Sequence, residues 1–139
     1  MDTREFSDLL RDLSLLLNVE NIEALSETGA FVEGEKVGVI FGEDFFDGVH
    51  VYVDVGHLED SHPSEDVFRE ILDLNLELSA QQGESFGLFG ETGSLVLRSF
   101  FRNEEASARQ LADRILRHVK LVQELRAGPL SGVTKPLPI

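Results

Sequence analysis

Three of the four histidines in this 139-residue chain, His50, His57 and His62, fall in one short segment together with Glu59 and Asp60. Neutral imidazoles and carboxylates gathered in this way suit zinc or a similar ion. The run His57-Leu-Glu-Asp-Ser-His62 holds no helical i, i+4 pair and no known ligand spacing. A polar loop leading into a helix accounts for the same residues. A small metal- or ligand-binding domain built on this cluster is therefore an alternative reading. Other chemistries lack their patterns. No G-x-S-x-G accompanies the serines and histidines. The glycines from Gly83 to Gly93 come without a lysine or the G-x-x-x-x-G-K-[ST] form that cradles phosphate. Glu43, Asp44 and Asp47 have the charge of a calcium loop but not its D-x-D-x-D-G order. There is no cysteine, so neither a disulfide framework nor thiol chemistry is available. No catalytic residue, metal ligand or cofactor is assigned, and an enzyme is the less favoured class.

The elements that must position any site read as follows. Residues 3–17 form a helix, with Phe6, Leu9, Leu10, Leu13, Leu16 and Leu17 on one stripe and Asp2 or Thr3 as its cap. Asn18 to Glu27 reads as a connection. Three strands follow: Gly29 to Val32, Lys36 to Phe41 and Val49 to Val55. Val49, Val51, Val53 and Val55 point one way, and His50, Tyr52 and Asp54 the other. Turns this short join antiparallel neighbours. Pro63 and Ser64 open a second helix that runs to about Ala80. It carries two adjoining stripes, Val67, Ile71, Leu74 and Leu78 beside Phe68, Leu72 and Leu76. Gln81-Gln82-Gly83 ends it. Strands at Ser85–Phe89 and Ser94–Arg102 precede a last helix, capped by Asn103, that reaches about Arg126. The order α-β-β-β-α-β-β-α predicts an α+β fold with a twisted antiparallel sheet flanked by helices. Residues 1–127 make one domain, and the Pro-rich segment 128–139 is expected to be disordered.

Charge narrows the partners. The chain has 26 acidic and 12 basic residues, a net charge of −14. Residues 1–70 hold 18 acidic and 4 basic residues, and residues 71–139 hold 8 of each. Such a surface repels nucleic acid and anionic lipid and attracts basic segments. The start MDTREFSDLL has no apolar signal-peptide core, and no run approaches the length of a membrane span. A cytoplasmic protein is the expectation.

One ordered set of residues resembles a known family. Asn75 lies in a leucine-rich helix end, followed by Gly83, a short strand with Gly87, the Glu91-Thr92-Gly93 turn and the strand Leu95-Val96-Leu97-Arg98-Ser99-Phe100-Phe101. With the amphipathic helix that follows, this is similar to the class I type III secretion chaperones, the Tir-chaperone family, over roughly residues 3–126. The chain departs from the pattern in having no Trp in its last helix and in its tail beyond Gly128. The resemblance implies a homodimer that binds the non-globular N-terminal segment of a secreted effector. It keeps that segment soluble and secretion-competent and delivers it to the secretion apparatus, with the secretion ATPase as a further partner. It also implies a role in virulence. A regulatory relative binding another regulator is the alternative within the family.

The apolar stripes suggest which residues take these roles. The dimer interface is expected at Val67, Ile71, Leu74 and Leu78 with Phe86 and Leu88. Effector binding is expected in a groove beside the first helix, at Leu9, Leu13, Leu16, Phe31, Val37, Val39 and Phe41, with Phe45 as an exposed contact. Ordinary intrachain core is the competing reading for every one of these stripes.

Overall fold

The computed structural model describes residues 2–42, 48–58, 65–82, 84–89, 93–131 and 134–135. Its first helix, α1 (Thr3–Leu17), is capped by Asp2, whose carboxylate accepts from the Glu5 amide at 2.8 Å. Asn18 ends it in the left-handed conformation, its N–H donating to the Ser14 carbonyl. Ile22–Ser26 then forms a five-residue helix, α2, where the sequence suggested only a connection. Leu25 anchors that turn in the core. Local periodicity is too short over five residues to reveal such a helix.

Strand β1 (Ala30–Val32) turns through Glu33 and Gly34, both at positive φ, into β2 (Glu35–Gly42). Two left-handed residues make the tight turn whose twist matches a hairpin. Next come β3 (Gly48–Leu58), α3 (Glu65–Gln82), β4 (Ser85–Phe89) and β5 (Ser94–Arg102). The final helix, α4 (Ala108–Ala127), is capped by Ser107, whose Oγ accepts from the Gln110 amide. Asn103, the cap expected from sequence, instead opens a short 3₁₀ turn. The chain therefore enters α4 four residues later than the cap pattern suggested.

All paired strands are antiparallel, in the order β1-β2-β3-β5-β4. This is the α+β architecture expected. The register puts Val37 opposite Val53, Val39 opposite Val51, and Val53 opposite Leu97. These side chains form one continuous apolar face, which α4 covers with α1 packed beside it. The opposite face carries Phe31, Lys36, Gly38, Ile40, Tyr52 and Asp54, by the same register. A bulge at Asp54–Gly56 bends β3. Gly56 sits at φ 141°, and its amide donates to Asp54 Oδ1 at 3.0 Å, so the kink is closed by a side chain.

Beyond α4 the chain is not free of structure throughout. Leu130 is fully buried in the core, and Thr134–Lys135 (β6) pair with His57 and Leu58 of β3.

Candidate protein-binding surfaces

Helix α3 lies along the edge strand β4 and is pinned to it by Asn75. The Asn75 side-chain oxygen accepts from the Phe86 amide at 2.7 Å. An edge strand presents unpaired amides that invite further pairing, and a side-chain acceptor is one way to blunt it. Replacing Asn75 by Leu leaves that part-buried donor unsatisfied. The expected loss is about 1–3 kcal/mol, checked by urea unfolding, with increased aggregation at elevated temperature.

The two stripes of α3 part company. Ile71 is buried, and Val67, Leu74 and Leu78 pack against the core. Phe68, Leu72 and Leu76 are 42%, 65% and 73% exposed. On β4, Phe86 packs on the core while Leu88 is 47% exposed. The apolar surface offered at this edge is thus the stripe one residue on from the one assigned to the dimer, joined by Leu88. Both stripes are equally apolar in sequence, so periodicity does not say which of them the core takes.

The groove assigned to the effector also divides. Leu9, Leu13, Val37 and Val39 are buried under α1 and α4, and Phe41 stacks on Phe6 with ring centroids 5.4 Å apart. Leu16 and Phe31 stay exposed, with Leu15 and Ile22 near the same end of α1 and α2. Ile40, not singled out in sequence, is exposed on the same sheet face as Phe31. Beside it lies a hollow of ≈ 280 Å³, whose lining includes Lys36, Gly38, Tyr52, Asp54 and Val96. Burial raises the Asp54 carboxyl above its usual range, with the Gly56 amide and Lys36 opposing the shift. This face therefore combines exposed apolar side chains with a hollow that Glu27, Lys36 and Asp54 help to line.

Buried charges hold α4 to the sheet. Arg126 grips both carboxylate oxygens of Glu35, and Gln123 Nε2 donates to the same group. At the other end, Glu84 Oε1 lies 3.4 Å from Arg117, 3.8 Å from Arg114 and 3.6 Å from His118 Nδ1. His118 Nε2 shares a 2.9 Å hydrogen bond with Ser99 Oγ. Burial raises the Glu84 carboxyl despite the arginines. Burial, then Arg114 and Arg117, lowers His118 to about 3. Ser99, His118 and Glu84 stand in the order of a hydrolase triad, but all three are buried, His118 on the inner face of α4. A substrate carbonyl has no approach to Ser99. The group acts as a clamp.

The histidines of the candidate metal cluster are separated along β3. His50 stacks on Tyr52 with centroids 6.2 Å apart and meets Phe100 at a tilt, at 4.9 Å, and burial lowers its pKa, with Arg98 adding to the effect. His57 is in register with Ser94. Glu59, Asp60 and His62 lie outside the described residues, as do Phe45, the acidic residues at 43, 44 and 47, and Gly83, Glu91 and Thr92. Among the described residues no three His, Cys, Asp or Glu side chains gather to hold a metal, and no helix is long and apolar enough to cross a membrane.

Comparison with curated proteins gives no match. A model of the Tir chaperone protein (CesT) family matches residues 8–126, from within α1 to the end of α4. That span takes in the sheet, the Asn75 pin and both exposed apolar surfaces. Proteins of this family serve type III secretion as chaperones and are in general not enzymes. With most of its length matched, the chain belongs to the Tir chaperone protein (CesT) family of class I type III secretion chaperones.

Proposed function

We propose that this protein is a cytoplasmic, homodimeric chaperone that holds the non-globular N-terminal segment of a secreted effector and delivers it to the secretion apparatus. The observation that carries this reading is the exposed stripe Phe68, Leu72 and Leu76 on a helix whose other apolar stripe is already used by its own core. A second copy of α3 and β4 buries that stripe together with Leu88. Two copies then present two sheet faces, each with Phe31, Ile40 and the hollow beside them. An extended segment that buries Leu or Phe side chains there gains about 1.5–3 kcal/mol for each. Ordering the segment costs several kcal/mol, so it must make contacts at many points along its length. The acidic N-terminal half favours a basic segment. The secretion ATPase receives the loaded chaperone, and the apparatus it serves makes this a virulence-associated protein.

Light scattering tests the reading, on the protein alone and after co-expression with effector N-terminal segments encoded by neighbouring genes. A dimer that forms a complex of two chaperones and one unstructured segment supports it. A monomer that captures no segment refutes it. Capture of a folded regulator in place of an effector segment would assign the chain to the regulatory branch.

A further inference from the structure

The C-terminal strand β6 occupies an edge that β2 leaves open. Pairing of β2 with β3 stops at Val37 and Val53. From Asp54 to His57, β3 continues its pairing with β5 on one side, His57 lying in register with Ser94. On the other side, β6 sets Lys135 opposite His57 and Thr134 opposite Leu58. Among the described residues, Asp54, Val55 and Gly56 have no strand partner on that side.

The occupant is tethered and short. Leu130 fixes the tail in the core, five residues before the end of β6. Pro136 follows Lys135 at once, and proline has no amide to extend a ladder. Among the described residues, the tail supplies two residues of pairing on an edge five residues long. Lys135 is also the one basic residue after Arg126 in the sequence, and it comes into register with His57, three residues from Asp54.

We propose that the β3 edge from Asp54 to Leu58 is a strand-accepting site, and that the chain's own C-terminal segment is its resident, displaceable occupant. The partner that displaces it is an extended peptide segment able to pair along more of the edge, with a basic residue where Lys135 stands. Main-chain pairing of this kind adds a strand to an exposed sheet edge. The tail is tethered at an effective concentration of order millimolar. It therefore lowers the apparent affinity for any incoming strand by the fraction of time that it holds the site. The role as a gate for effector segments rests on the chaperone reading above, but the site itself does not.

The test uses the chain's own segment as its probe, a fluorescein-labelled peptide of residues 131–139. In the full chain, Thr134→Pro with Lys135→Pro removes the resident ladder while Leu130 stays in place. That variant is expected to bind the peptide at least about tenfold more tightly than the unaltered chain, the gain set by release of the site. His57→Cys with Lys135→Cys gives the reverse. The two positions are an antiparallel register pair at a spacing that a disulfide spans. The chain contains no other cysteine, so the cross-link is unambiguous. Oxidised, it is expected to lose peptide binding; reduced, to recover it. The same protein serves in both states, so misfolding of the proline variant cannot decide the result. Equal binding by oxidised and reduced forms, or no binding by any form, overturns the proposal. Either failure leaves effector capture untouched. Peptide exchange without effector capture would refute the chaperone reading alone.

Discussion

Replacing Leu72 and Leu76 together by glutamate is expected to bring the mass in light scattering down to that of one 15.5 kDa chain. Both side chains are largely exposed in the single chain, so their replacement costs the fold little. Within a two-fold interface each substitution occurs twice. Four leucines are lost, at about 1.5–3 kcal/mol each, and four carboxylates face desolvation. A weakening of ~4 kcal/mol already loosens a dimer about a thousandfold. Ile71→Glu is the contrasting variant. Ile71 is buried in the chain's own core, so its charge has no hydrated position in the folded state. That variant is expected to lose more than ~4 kcal/mol of folding stability and to show it as loss of cooperative melting. A dimer that survives the double Leu72/Leu76 change would place the interface elsewhere.

The second large effect is acid sensitivity from His118. Its folded pKa is about 3, against 6.5 for the free group. The folded state therefore resists a proton that the unfolded state accepts. The stability is complete above pH 6.5 and is lost as pH falls from 6.5 toward 3. At pH 5 the loss is about 2 kcal/mol, from 1.36 kcal/mol for each unit over which the unfolded histidine is protonated. Glu84 works in the opposite sense. Its raised pKa means that protonation favours the folded state as pH falls through the folded value, which offsets part of the histidine loss. The histidine loss is read between about pH 6.5 and 5, below the pKa of the unfolded imidazole. Urea midpoints across that window should fall steeply for the unaltered chain. His118→Gln, which has no proton to gain, should flatten the slope. An equal slope in both proteins would show that other groups control the acid limb.

Much of the fold was legible because its signals are local. Helix α1 and strands β4 and β5 have the bounds that caps, glycines and alternation indicate. The valines of β3 announce one apolar face at a spacing of two. The sites were harder, for a physical reason. Leu9, Leu13, Val37 and Val39 look like a groove in sequence, because nothing local says that a helix from the far end of the chain lies over them. The same holds for α3, where two stripes of equal apolarity differ only in which one meets the core. Glu35 and Glu84 gave no signal at all. Their partners are Arg126, Arg117 and His118, between 33 and 91 residues away. Asn75 could be picked out as part of a family pattern, but its hold on the Phe86 amide required the register of α3 against β4.

The long reach of α4 bears on how the protein is made. Synthesis runs from the N-terminus, and among the described residues α4 is the last helix to leave the ribosome. Until it does, the valine face of the sheet lacks its cover, and Glu35, Glu84 and Ser99 lack the side chains that satisfy them. The emerging chain thus carries an open apolar sheet and unmatched carboxylates through nearly all of translation. Closure is a single late event in which residues 108–127 dock on everything made before them. A transcript cut short before this helix would release a sticky fragment, not a smaller working protein. The cell's protection against that fragment is the chain's strong negative charge, all of whose net excess is already present by residue 70.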